Sequence, residues 1–172
     1  MNYTTLQRSV SSLVIDQRIE ANVANVTRGT VEARTIINAM TNDPNVSYYI
    51  ILGRGAERNT TRIQQAAPGL FDSILGRPLP RAAVIMTINP NEGLSFTDEF
   101  GNPFEPSIER LIAHELGHGY SYYRGGFERF SMQYHEAIDT ENLICRQNDP
   151  KAPRRPKSDH GGLRDNIRNM GR

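Results

Sequence analysis

HELGH, residues 114–118, is the stretch that decides how this chain folds and what chemistry it can carry. On a helix, positions i and i+4 lie about 40° apart around the axis, so the imidazoles of His114 and His118 point into the same space. This spacing predicts a Zn²⁺ site, in which Glu115 reaches a metal-bound water without binding the ion. Zinc lowers the pKa of that water to about 7, and the carboxylate takes its proton as it attacks a carbonyl. The motif is therefore typical of metal-assisted hydrolysis, most often of a peptide bond.

The helix predicted around the motif has clear ends. Pro106 is tolerated in a first turn, and Gly125 and Gly126 provide a stop. The two histidines lie at the edge of the apolar arc rather than at its centre, and such an edge is where a helix meets a cleft. This position favours metal ligands over the alternative, a structural helix with two satisfied histidines. The apolar arc comprises Ile108, Leu111, Ile112, Leu116 and Tyr123.

A third ligand is needed, because catalytic zinc takes three protein ligands and keeps one open position. A second helix is predicted over residues 131–147, with Ser131 as its N-cap, and it presents Glu136 to the metal. Glu141 is the competing ligand. It lies about 140° around the helix from Glu136, so one zinc is not expected to bind both. If the second helix packs in a different register, Glu141 binds the metal and Glu136 contacts the ligands instead of the ion.

Supporting residues are also predicted near this site. Asp139 and Thr140 share the face of Glu136 and could accept the second ring N–H of a ligand histidine. Hydrolysis also needs a donor that stabilises the tetrahedral oxyanion. His160 and three tyrosines have suitable chemistry for this donor. The alternative for His160 is a place in a surface loop, and the alternative for the tyrosines is core packing. The tyrosines are Tyr120, Tyr122 and Tyr123.

Composition narrows the classes of protein that this chain can represent. Its 172 residues, 37% hydrophobic, suit one domain with a single core. Twenty basic residues against nineteen acidic ones argue against a dedicated nucleic-acid binder, although residues 146–172 carry a local positive excess. The sequence shows no cleavable signal peptide and no apolar run long enough to span a membrane. Cys145 is the only cysteine, and we expect it to be packed rather than reactive.

The order of the predicted elements indicates an α+β fold: a short mixed sheet, then the HExxH helix and a second C-terminal ligand helix, as in a small zincin-like domain. A polar arm over residues 1–29, which can also belong to the domain, precedes a zinc metallopeptidase domain over residues 30–172. The second strand is also the predicted sheet edge along which a peptide substrate adds as an extra strand. The predicted elements are helices over residues 30–40 and 59–67, strands over Val46–Leu52 and Ala82–Ile88, and a loop or hairpin over residues 93–106.

The motifs resemble those of known zinc peptidases. Glu136-Ala137-Ile138 is similar to the glutamate segment of thermolysin-like zincins, in which a second helix supplies the third ligand. The chain more closely resembles the NleD-like effector and toxin metallopeptidases of bacteria. The shared elements are HELGHGYSYY (residues 114–123), Glu136, the Glu-Asn-x-x-x-Arg stretch of residues 141–146, and Arg154-Arg155-Pro156. The resemblance covers roughly residues 82–160.

This resemblance implies a biological setting. It implies a protease that leaves a bacterium through a specialised secretion system, without a cleavable signal peptide, and cleaves a protein in the cytoplasm of a target cell. A cognate immunity protein or a secretion chaperone would then be its partner. Two alternatives keep the same zinc site. One is a zinc-stabilised binding module that holds an acidic partner with its basic tail, and the other is a zinc amidase acting on a non-protein substrate such as a cell-wall crosslink.

Overall fold

A computed structural model describes residues 11–65, 82–132 and 135–159 of the chain. Within these ranges, no helix has the length and apolar content needed to cross a membrane. The elements are β1 (Leu13–Ile15), α1 (Glu20–Gly29), α2 (Val31–Thr41), β2 (Val46–Leu52), β3 (Thr60–Gln65), β4 (Ala82–Ile88), β5 (Phe96–Thr97), β6 (Pro103–Phe104), α3 (Ile108–Met132), α4 (His135–Asn148) and a 3₁₀ turn (Lys157–Asp159).

A four-stranded mixed sheet in the order β1-β2-β4-β3 forms one layer of the fold. β1, β2 and β4 are parallel, whereas β3 is antiparallel to β4. Side chains alternate between the two faces of a strand, and the middle residues of one face of β2 and β4 are buried in the common core. Tyr48 on β2 pairs with Val84 on β4, and Ile50 pairs with Met86. The sheet followed by two C-terminal helices confirms the predicted α+β class.

The start of the described chain is part of this core. Ile19, Val23 and Val26 are buried in the same cluster as the sheet residues, and β1 pairs with β2. Residues 13–29 therefore pack with the rest of the fold, which agrees with the alternative that the polar arm belongs to the domain. The helix expected over residues 30–40 is confirmed as α2, whose N-cap Thr30 accepts a hydrogen bond from the backbone N–H of Ala33.

Two expectations about the strands are wrong. The short helix predicted over residues 59–67 is strand β3 in its described part, because two β-branched threonines and Ile63 suit a pleated surface. β4 lies between β2 and β3 rather than at the sheet edge. Its nearly continuous apolar sequence suits an interior strand that pairs with a neighbouring strand along each edge. Within the described residues β3 is the edge strand on this side.

The motif helix α3 breaks where the sequence predicts its stop. Gly125 and Gly126 have non-helical backbone angles, and Gly126, at φ 65° and ψ −156°, occupies a region open essentially to glycine alone. One further helical stretch then continues to Met132. Ser131 therefore lies in α3, where its hydroxyl donates to the carbonyl of Glu128, and its predicted role as the N-cap of α4 is wrong.

Cys145 on α4 is partly buried and forms no disulfide. Burial raises the pKa of its thiol to about 11. A thiol with this pKa has little thiolate at neutral pH, so the structure agrees with a packing role for this cysteine.

Candidate metal centre

The two motif histidines face each other on α3. His114 and His118 are 9% and 8% exposed, and their Nε2 atoms lie 3.2 Å apart. Two nitrogen ligands of a tetrahedral zinc, each about 2.0–2.1 Å from the metal, are separated by about 3.3–3.4 Å. The spacing and the donor chemistry of this pair therefore fit two ligands of one zinc ion.

Glu141 contacts the other ring nitrogen of His114. Its Oε2 lies 2.9 Å from His114 Nδ1, and Arg110 Nη1 donates to its Oε1 at 2.8 Å. Burial alone would raise the pKa of Glu141, but the hydrogen bond from His114 and the neighbouring positive charges outweigh it, so this pKa is lowered. The ionised carboxylate can only accept, so the Nδ1 proton of His114 points to Glu141 and its Nε2 is the unprotonated nitrogen, which faces His118.

Glu115 is held against the sheet rather than in solvent. It is 3% exposed, and the Thr61 hydroxyl on β3 donates to its Oε2 at 2.7 Å. Burial raises the pKa of Glu115, although the charge of His114 and the Thr61 hydrogen bond act in the opposite direction. A carboxyl group with a raised pKa and a fixed orientation is suited to taking up and returning a proton.

Glu136 has different partners from those expected of a metal ligand. Its Oε2 accepts hydrogen bonds from Ser121 Oγ at 2.7 Å and from Arg129 Nε at 3.0 Å, and Arg129 also pairs with its Oε1. The hydrogen bond from Arg129 is the main reason why the pKa of Glu136 is lowered. Glu136 thus lies in an ion pair with the stretch of α3 beyond the glycine kink.

Neither glutamate completes a three-ligand set in the part of the chain that the structure describes, where no group of three or more His, Cys, Asp or Glu side chains is arranged to hold a metal. The third ligand stays a prediction. Asp139, one of the two residues expected to accept from a ligand histidine, pairs instead with Lys157 at 2.7 Å. The residue that contacts His114 Nδ1 is Glu141. His160 lies outside the described residues.

Aromatic rings form one wall beside the histidine pair. The ring of Phe130, which follows the glycine kink, meets His118 edge-on at 6.0 Å, and Tyr122 packs on Phe130. Tyr120 stacks on Tyr123 with ring centroids 5.7 Å apart. Tyr120 therefore has a packing role, and its proposed role towards an oxyanion stays a prediction.

Three polar residues of this site have contacts that the sequence argument does not predict: Thr61, Arg110 and Arg155. Arg110 stands one helical step of four residues before His114, so the same spacing that pairs the histidines places it on their side of α3. Thr61 carries no such signal, and Arg155 enters only through the resemblance of residues 154–156. Their contacts with Glu115 and Glu141 join separate elements of the fold, which local spacing does not predict.

Comparison with known proteins returns no match to this chain among protein-family models, curated proteins or solved structures.

Proposed function

We propose that this protein is a zinc-dependent metalloendopeptidase, with His114 and His118 as zinc ligands and Glu115 as general base and proton shuttle. The observation that supports it most is the histidine pair, whose Nε2 atoms lie 3.2 Å apart while Glu141 accepts from Nδ1 of His114. When bound, zinc supplies a Lewis acid that polarises a carbonyl and makes water acidic enough to be deprotonated near neutral pH.

The roles of the chain's own residues follow from their positions. Glu115 takes a proton from the attacking water and returns it to the leaving amine, and Thr61 orients the carboxylate for both steps. Because Thr61 lies on the edge strand β3, we assign to β3 the substrate-pairing role first expected of Ala82–Ile88. A peptide added to this edge would run past Glu115.

A third ligand is part of this proposal. Glu136 remains our proposed third ligand, with Glu141 as the alternative. Both oxygens of Glu141 accept hydrogen bonds from His114 and the arginines, which favours a supporting role for it. Glu136 would have to leave Arg129 and Ser121 to reach the metal, so zinc binding by a Glu136→Gln variant tests this assignment directly.

The substrate class and cellular setting are proposed from the NleD-like resemblance. The protein would be a bacterial effector or toxin, exported without a cleavable signal peptide, that cleaves a protein in the cytoplasm of a target cell. An immunity protein or secretion chaperone is the partner that this setting implies.

The test compares wild-type protein with Glu115→Gln by zinc content and by cleavage of a peptide library. We expect both proteins to bind one zinc per chain, and the variant to lose cleavage by at least about 100-fold, since general-base catalysis typically contributes that much. Glu128→Gln, an exposed change on the same helix, is the matched control and should retain both properties.

Two outcomes would count against the peptidase. Full cleavage activity in Glu115→Gln contradicts its role as general base. One zinc per chain without cleavage of any library peptide favours a zinc-stabilised binding module or an amidase for another substrate.

A further inference from the structure

A single buried carboxylate joins three parts of the fold behind the histidine pair. Glu141 on α4 is 0% exposed. Its Oε1 accepts from Arg110 on α3, whereas its Oε2 accepts both from His114 Nδ1 at 2.9 Å and from Arg155 Nη1 at 3.1 Å. Arg155 therefore contacts the same oxygen atom that accepts the hydrogen bond from His114.

Arg155 is itself held on every side. Its backbone N–H donates to Asn142 Oδ1 at 2.8 Å, and its carbonyl accepts from Asn142 Nδ2 at 2.7 Å. Its Nε donates to the Asp159 carboxylate at 3.1 Å, and its guanidinium carbon lies 3.6 Å from the ring centroid of Phe96. A planar guanidinium fixed in this way presents Nη1 to Glu141 in one direction only.

The stretch that carries Arg155 is tied to a separate part of the chain. The Asp159 carboxylate also accepts from the backbone N–H of Thr97 on β5 at 2.9 Å, and the Asp159 carbonyl accepts from Arg155 Nη2 at 2.7 Å. A path of direct contacts thus runs from β5 through Asp159, Arg155 and Glu141 to His114.

We propose that Arg155 is a positioning residue of the metal centre, which fixes Glu141 Oε2 and through it the ring of His114. This inference rests on the proposed zinc site and assigns part of its assembly to the stretch after α4. Without Arg155, Glu141 keeps the anchor from Arg110 on Oε1 but loses the only arginine contact on Oε2 among the described residues. Mutation of a residue that hydrogen-bonds a ligand histidine typically lowers metal affinity by about 10–100-fold.

The experiment measures zinc affinity of the full chain by competition with a chromophoric chelator. In Arg155→Gln we expect the zinc Kd to rise by about 10–100-fold. Arg155→Lys retains the charge without the planar fork and should give a smaller rise. Arg154→Gln changes the exposed neighbour and should leave the Kd unchanged. An unchanged Kd in Arg155→Gln overturns the proposal.

A second measurement separates positioning from mere stabilisation and needs no zinc. In the zinc-free protein, ¹⁵N–¹H spectra of the imidazoles should show His114 protonated at Nδ1, and Arg155→Gln should lose this single preferred tautomer. A purely structural role lowers the Tm but leaves the tautomer unchanged. If Arg155→Gln does not fold, Asp159→Asn, which weakens the hold on Arg155, should show the same two effects to a smaller degree, and their absence there overturns the proposal.

The two proposals fail in different ways. Wild-type protein that binds no zinc contradicts the metallopeptidase, while the tautomer measurement still decides whether Arg155 positions His114. Wild-type zinc binding with unchanged tautomer and unchanged Kd in the Arg155 variants contradicts the positioning role alone.

Discussion

One hydroxyl group decides the direction of the candidate general base. Thr61 donates from β3 to Glu115 across 54 positions of sequence, and both residues are buried. A buried carboxylate with one fixed hydrogen bond has few other orientations, so the Thr61 hydroxyl fixes the direction in which Glu115 would act as the proposed general base.

Thr61→Val replaces this hydroxyl with a methyl group of similar size and keeps a β-branched residue in the strand. A hydrogen bond to a charged group is worth about 1.5–3 kcal/mol, so we expect kcat for peptide cleavage to fall by about 10- to 100-fold. Zinc content should not change. Steady-state kinetics measures the effect. Thr61→Ser should recover most of it, and Thr60→Val is the matched control on the neighbouring residue. Unchanged kcat in Thr61→Val would show that Glu115 needs no such orientation.

At the scale of elements, α3 and α4 are in close contact at Gly117. A Cβ added there would lie 2.7 Å from the backbone Cα of Ala137. At Gly119, two residues further along the same helix, an added Cβ would instead meet the flexible ends of Met40 and Met86 at 2.8 and 2.9 Å. The same substitution therefore meets a rigid backbone at one position and adaptable side chains at the other.

Gly117→Ala should lower the free energy of unfolding of the protein by about 1–2 kcal/mol. Overpacking against backbone costs about 1–3 kcal/mol, and the better helix propensity of alanine returns part of it. Gly119→Ala should change stability much less, because methionine side chains can move aside. Urea unfolding of both variants measures the difference. Equal stability of the two would contradict the close contact between α3 and α4.

The elements also show which features were predictable from sequence. Apolar periodicity and glycines predict α2, β2, β4 and the break in α3, because each has a local signal in the chain. The edge strand β3 has no such signal, because its solvent side is polar and its burial depends on its neighbours. The predicted start of α4 at Ser131 is wrong because α3 continues as a helix after Gly126 and includes Ser131.

For the candidate metal centre, the sequence predicts that the two histidines point into the same space and that Glu115 lies next to the first of them. It does not predict the partners of these residues. Glu141 takes the place on His114 that Asp139 or Thr140 was expected to fill, because the register of α4 follows from its packing on α3 at Gly117. Contacts between distant segments are set by tertiary packing, which local periodicity does not encode.

At the scale of the whole molecule, the proposed zinc site connects elements that are far apart in the described part of the chain. β3, α3, α4 and the 3₁₀ turn after it all contribute contacts around the histidine pair. A ligand that binds only this assembled arrangement stabilises the folded state as a whole.

Zinc should therefore raise the Tm of the whole protein. At free zinc 100-fold above the Kd the stabilisation is about 2.7 kcal/mol, which for a chain of this size corresponds to a rise in Tm of about 5–10 °C. Differential scanning calorimetry with zinc and with a chelator measures the shift. Glu115→Gln should keep it, whereas the double variant His114→Asn/His118→Asn should lose it. A wild-type Tm that does not respond to zinc would argue against the metal centre.

The place of Arg155 in the chain has a consequence for how the protein is made. Synthesis proceeds from the N-terminus, so the histidines and Glu115 leave the ribosome before Glu141, and Arg155 follows 14 positions after Glu141. The proposed zinc ligands and the proposed general base are thus made before the arginine that we propose positions His114. In the proposed assembly, the hydrolytic site reaches its final geometry only after the stretch that follows α4 has been made, when nearly all of the described fold is already present around it.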